Sequence, residues 1–179
     1  MDVNAARKGT LLLILLAWAH LGLAQDLNIT EPDFVGNFLV VQDGDGLKLE
    51  KQRAANHARA GFFKAKGSNI VKKAQSPTRV SGGSQLQFIV RVESNNIDPS
   101  QVVNVFQLVS DKRKDYRYIE TSSRGAFTSD SMAIEFLPFD GARYGESSYL
   151  LTMTVDLPPG EYAMTLDGSR DVFNMFGVD

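Results

Sequence analysis

The sequence predicts an all-β chain, an antiparallel β-sandwich of immunoglobulin-like or related Greek-key form. Two observations carry this. Short alternating or apolar runs recur about every ten positions with turn residues between them, and no long helical period competes with them. The first run covers residues 34–42 and ends at Asp43-Gly44-Asp45-Gly46. An EF-hand calcium loop needs glycine sixth and glutamate twelfth, and the twelfth position here is Ala54. Asp-Gly between two apolar runs is instead a hairpin turn.

Residues 47–51 then alternate apolar and charged, the pattern of a half-buried strand. Residues 86–92 place Leu86, Phe88, Val90 and Val92 on one face. Residues 102–109 are largely apolar, as expected of a central strand covered on both faces. Residues 115–121, 132–137, 148–155, 161–166 and 172–178 complete the set, with a short helical turn allowed at 139–144. In the last group Tyr149, Leu151, Met153 and Val155 share a face, as do Tyr162, Met164 and Leu166. Pro158-Pro159-Gly160 joins these two strands, because proline cannot donate to a ladder and glycine accepts positive φ. Residues 53–66 contain enough alanine for a helix but little apolar face to bury it, so a strand pairing back on residues 47–52 is preferred.

The domain is preceded by a leader. Arg7 and Lys8 are followed by an apolar run over residues 11–19, then small residues at Gly22 and Ala24. Those are the three parts of a secretory signal peptide, with cleavage expected between Ala24 and Gln25. The apolar stretch falls short of the roughly 20 residues that span a bilayer, so no membrane span is expected after cleavage. Residues 25–179 then form one domain, with no linker or low-complexity break.

Composition excludes several function classes. The chain has no cysteine, and its only tryptophan, Trp18, lies in the leader with His20. The remaining domain holds a single histidine, His57, which removes thiol catalysis, iron–sulfur and haem–thiolate chemistry and multi-histidine metal centres within one chain. No metal site and no cofactor are expected. The net charge of −2 opposes nucleic-acid binding. Absence of cysteine in an exported chain also tilts toward a bacterial envelope or extracellular protein, since many secreted eukaryotic domains rely on disulfides. The Asn28-Ile29-Thr30 sequon is read as incidental.

His57 sits in a polar, small-residue run and reads as a surface histidine, with no Gly-x-Ser-x-Gly elbow to place a nucleophile beside it. The acids beside the strands read as outward-facing, so no catalytic residue is assigned. The best binding candidates are Lys112, Arg113, Tyr116, Arg117 and Tyr118, where cations interleave with aromatics that can grip anions or sugar rings. The competing reading is a charged turn leading into an edge strand, where such residues deter aggregation. Tyr149 and Tyr162 read as core.

Leu49-Glu50-Lys51-Gln52, Phe88-Ile89-Val90-Arg91, Asp98-Pro99, Tyr144-Gly145-Glu146-Ser147-Ser148-Tyr149, Pro159-Gly160-Glu161-Tyr162 and the terminal Phe176-Gly177-Val178-Asp179 occur in this order. Through them the chain resembles a group of small exported bacterial β-sandwich proteins of uncharacterised function. The resemblance implies a secreted single-domain β fold and supplies no catalytic residue. It does single out Glu50, Lys51, Tyr144 and Glu161 as a possible surface cluster. The expected role is that of an exported, non-enzymatic binding or structural protein of the cell envelope or exterior, with a protein or glycan as partner. A carbohydrate-binding module is the first alternative and a small hydrolase the second.

Overall fold

The computed structural model describes residues 27–60, 64–82, 85–125, 129–131 and 134–179; the expected leader and its cleavage site lie outside them. The described residues are all-β, with 3₁₀ turns at Pro99–Gln101 and Asp167–Ser169. The strands are β1 (Phe38–Gln42), β2 (Asp45–Lys48), β3 (Glu50–Arg53), β4 (Ala55–Ala60), β5 (Lys64–Lys72), β6 (Arg79–Val80) and β7 (Gln87–Arg91). They continue as β8 (Val103–Asp111), β9 (Tyr116–Gly125), β10 (Ser129–Ser131), β11 (Phe139–Tyr144), β12 (Ser148–Met153), β13 (Gly160–Leu166) and β14 (Val172–Val178).

One sheet runs β11-β12-β7-β1-β2. The second runs β3-β14-β13-β8-β9-β5-β4, with β10 beside β9 and β6 beside β14. All pairings are antiparallel except β6 with β14. The expected hairpin at Asp43-Gly44 joins β1 to β2, with Gln42 opposite Asp45. Both turn residues take positive φ, 53° and 86°, which sets the primed turn that matches strand twist.

The predicted alternation builds a core between the two sheets. Phe38, Val40, Phe88, Val90, Tyr149, Leu151 and Met153 from the first sheet meet Val103, Val105, Tyr162, Met164, Phe176 and Val178 from the second. All are at most 2% exposed, and a fully buried side chain of this size contributes about 1.5–3 kcal/mol. The chain passes between sheets at Pro158-Pro159, so this turn is a crossover and not a hairpin. At the crossover the Tyr162 hydroxyl donates to Pro158 O at 2.6 Å.

Four expectations need correction. Residues 139–144 form strand β11 instead of a helical turn, paired throughout with β12. In the expected strand over 132–137, Met132 and Ala133 lie outside the described residues. Positions 134–138 run without strand structure, held to β8 by Leu137 N donating to Val105 O at 2.8 Å. The alternating segment 47–51 divides at Leu49, with β2 in one sheet and β3 in the other, because Leu49 turns into the shared core. Finally, β4 is a strand but does not pair back on 47–52. It pairs with β5, Ala55 opposite Ile70 through Ala60 opposite Ala65.

That last difference shapes the second sheet. Consecutive strands β3 and β4 sit at its opposite ends, so the chain itself joins those ends and the sheet curls into a half-barrel. The Gln52 carboxamide helps close the seam. It accepts from Lys72 N at 3.1 Å and donates to Lys72 O at 3.2 Å, taking the place of a ladder peptide. Inside the curl lies a second core of Ala54, Val71, Phe106, Leu108, Ala163, Phe173 and Met175.

Candidate functional site

Strand alternation divides the predicted binding residues between two sides of β9. Lys112 and Arg113 are exposed in the β8–β9 turn. Tyr116 and Tyr118 lie two positions apart and share the outer face, their rings 5.7 Å apart at 72°, an edge-to-face pair. Lys114 Nζ stands 5.7 Å from the Tyr116 ring centre. Around them the β4-β5-β9 surface forms a shallow depression of about 100 Å³ to which His57, Lys66, Ser68 and Glu120 contribute. His57 is exposed on β4. Lys66 pairs with Glu120 at 2.9 Å, and the bond and charge of Glu120 raise its pKa above the usual lysine value.

Arg117 leaves this group. It points into the half-barrel and is 0% exposed, so it is unavailable as a surface cation. Its guanidinium donates to Glu50 Oε2 at 2.7 Å, Glu161 Oε2 at 3.3 Å and the backbone oxygens of Lys73 and Lys72. Glu161, 5% exposed, also receives Ser76 N and Arg79 Nη1. Arg79 continues to Asp179, where the hydrogen bond and charge raise the arginine pKa. A Cβ on Gly177 would lie 1.8 Å from Arg79 Nη1, so only glycine lets the guanidinium cross β14 to reach Glu161. The terminal Phe-Gly-Val-Asp is thus a structural device.

The cluster expected from Glu50, Lys51, Tyr144 and Glu161 is brought together only in part. Glu50 and Glu161 meet through Arg117, inside the fold. The Lys51 ammonium bonds Gly36 O at 3.1 Å and Asn37 Oδ1 at 3.0 Å, and burial together with the Lys48 charge lowers its pKa. Tyr144 belongs elsewhere: its hydroxyl lies within hydrogen-bond distance of the backbone oxygens of Leu27 and Ile29, with one proton between them, and accepts from Ile29 N. Tyr149 and Tyr162 are core residues, each 1% exposed.

The reading of the sequence missed that the pocket partners of Tyr116 and Tyr118 come from β4 and β5. Lys66 and Ser68 reach that face because β5 pairs with β9, and His57 joins them because β4 pairs with β5, a partner the composition of 53–66 does not name. No family model, curated protein or solved structure matches the chain.

Proposed function

We propose that this chain is an exported, non-catalytic binding protein on an immunoglobulin-like scaffold, and that the outer face of β4-β5-β9 takes an acidic glycan. The scaffold reading is supported by strand order. The orders β11-β12-β7-β1 and β14-β13-β8-β9 match D-E-B-A facing G-F-C-C′, and on that reading the Tyr162–Pro158 bond takes the part of a tyrosine corner at the start of the F strand. Against this scaffold β3, β4 and β5 are an insertion, of which β4 and β5 build the outer face beside β9. A binding role suits the acids, since Glu50 and Glu161 are engaged by arginines instead of facing a cleft.

The single observation carrying the ligand class is the Tyr116–Tyr118 pair beside Lys114 and His57 in the depression on the outer sheet surface. Aromatic rings offer the apolar faces of a sugar a stacking partner, and the flanking Lys112, Arg113 and Lys114 supply charge for a carboxylate or sulfate. Calorimetry with polyuronate oligosaccharides against neutral oligosaccharides tests it. Binding should favour the acidic chain and fall at least tenfold in Tyr118→Ala; equal binding of both, or a Tyr118→Ala protein that binds unchanged, overturns the reading. A second reading is favoured by β4, which ends its sheet with one edge unpaired among the described residues, where a partner's strand could add. Capture of a protein partner that survives Tyr118→Ala would select that role.

A further inference from the structure

Strands β8 and β9 pair over only three positions, Val109–Tyr118, Ser110–Arg117 and Asp111–Tyr116. Beyond them the strands splay while each keeps its other neighbour, β13 or β5. The half-barrel interior therefore opens at that end, on the opposite side of β9 from the tyrosine face. The opening is a cavity of about 290 Å³, room for about ten waters at roughly 30 Å³ each.

Its walls are apolar and aromatic. Phe106 stands edge-on to Phe173 at 5.3 Å, and Ile119 and Ile134 close the sides. Phe136 lies at the rim, 53% exposed, with its ring 6.4 Å from Phe106. Into this chamber project four neutral polar side chains from four strands: Asn69 of β5, Asn104 of β8, Thr121 of β9 and Thr165 of β13. Thr165 is 2% exposed and lies directly opposite Asn104 in the ladder. None of the four makes a side-chain hydrogen bond to another described residue. Thr165 is buried and Asn69, Asn104 and Thr121 are half-buried, and four neutral polar groups with hydrogen-bonding capacity to spare around one apolar chamber have the character of a recognition set. Arg170 also lines the chamber, but its side chain is exposed and bonded to Asp167.

We propose that this cavity is a small-molecule site, separate from the tyrosine face, for an uncharged ring compound bearing an amide or hydroxyl. The ring packs against Phe106 and Phe173, and its polar group completes the hydrogen bonds of Asn104 and Thr165. A charged ligand is disfavoured because no buried counter-charge lines the chamber among the described residues.

The test is solution NMR of the full chain titrated with benzamide and benzyl alcohol, set against benzoate, benzylamine and toluene. The two neutral polar probes should shift the side-chain amides of Asn69 and Asn104 and bind at least tenfold more tightly than the other three. Thr165→Val keeps side-chain shape and should lower benzamide affinity about tenfold; Asn104→Leu, at a half-exposed position, gives the same answer if Thr165→Val fails to fold. Tyr118→Ala should leave this binding unchanged. No shift with any probe, shifts away from the chamber, or toluene and benzoate binding as well as benzamide would each overturn the proposal.

Discussion

On one face of β8, β13 and β14 the residues Val103, Val105, Tyr162, Met164, Phe176 and Val178 meet the smaller sheet in an apolar interior. On the other face of the same strands, Phe106, Leu108, Ala163, Phe173 and Met175 share the half-barrel with Arg117, Glu161 and Ser76. Adjacent positions thus feed two interiors of different chemistry. The first is held by volume and tolerates shape-conserving exchange. The second is held by matched charge, where one guanidinium answers two carboxylates and two backbone oxygens. An apolar interior weakens by degrees as methylenes are lost. A charge-matched one fails when a single partner goes.

Arg117→Ala is the largest expected break in that contrast. It leaves Glu50 and Glu161 without their shared counter-charge and should cost about 3–5 kcal/mol. The damage should be local before it is global. Amide exchange should speed first in β3, β5 and β9, while β7 and β12 continue to exchange only with whole-chain unfolding. If Arg117→Ala does not fold, Glu50→Gln, which keeps the Arg117–Glu161 pair, should show the same order with a smaller loss. Equal acceleration across both sheets would mean that the two interiors are one cooperative unit.

The contrast also explains what the sequence disclosed. The apolar interior was readable because period-two burial leaves a visible trace: Phe88, Val90 and Val92, or Tyr149, Leu151 and Met153, fall on one face by counting. The half-barrel was not readable because its interior uses residue types that ordinarily face water. Arg117 sits between Tyr116 and Tyr118, and only the alternation of β9, taken with a curl that no local signal announces, turns it inward. The same holds for β4, whose partner is β5 and not the preceding strand. The candidate site followed suit: Tyr116 and Tyr118 stand out by their own residue types, while Lys66 and Ser68 come beside them only through the pairing of β5 with β9. Residues 134–137 show the reverse error, an apolar run that caps the splayed β8–β9 gap instead of entering the ladder.

A smaller break concerns the seam. Gln52→Ala removes both bonds to Lys72, which lie near solvent, and should cost about 0.5–1.5 kcal/mol. A lowered urea midpoint with an unchanged m-value, together with faster exchange at the Lys72 amide, would show that the seam restrains the curl. An unchanged Lys72 amide would assign closure to the β3–β4 continuity alone.

The smallest expected effect lies on the apolar side and sharpens the contrast by pH. Outside the smaller sheet, Glu31 accepts from Glu146 N, Ser147 N and the Ser148 hydroxyl, while Arg91 Nη1 bonds Pro32 O. Burial raises the Glu31 pKa, but these bonds and the Arg91 charge outweigh it, and the net pKa is lowered. A lowered carboxylate pKa stabilises the fold above the ordinary glutamate value, and that contribution disappears as pH falls through the folded value. Acidification below about pH 4.3 should therefore release the segment at Ile29–Pro32 from β11 and β12. The loss should be about 0.5 kcal/mol after solvent screening, too small to disturb the shared core. Exchange at the Glu146 and Ser147 amides should rise on acidification beyond its intrinsic pH dependence, and Glu31→Gln should remove that excess. An excess that persists in Glu31→Gln would place the acid response on another carboxylate.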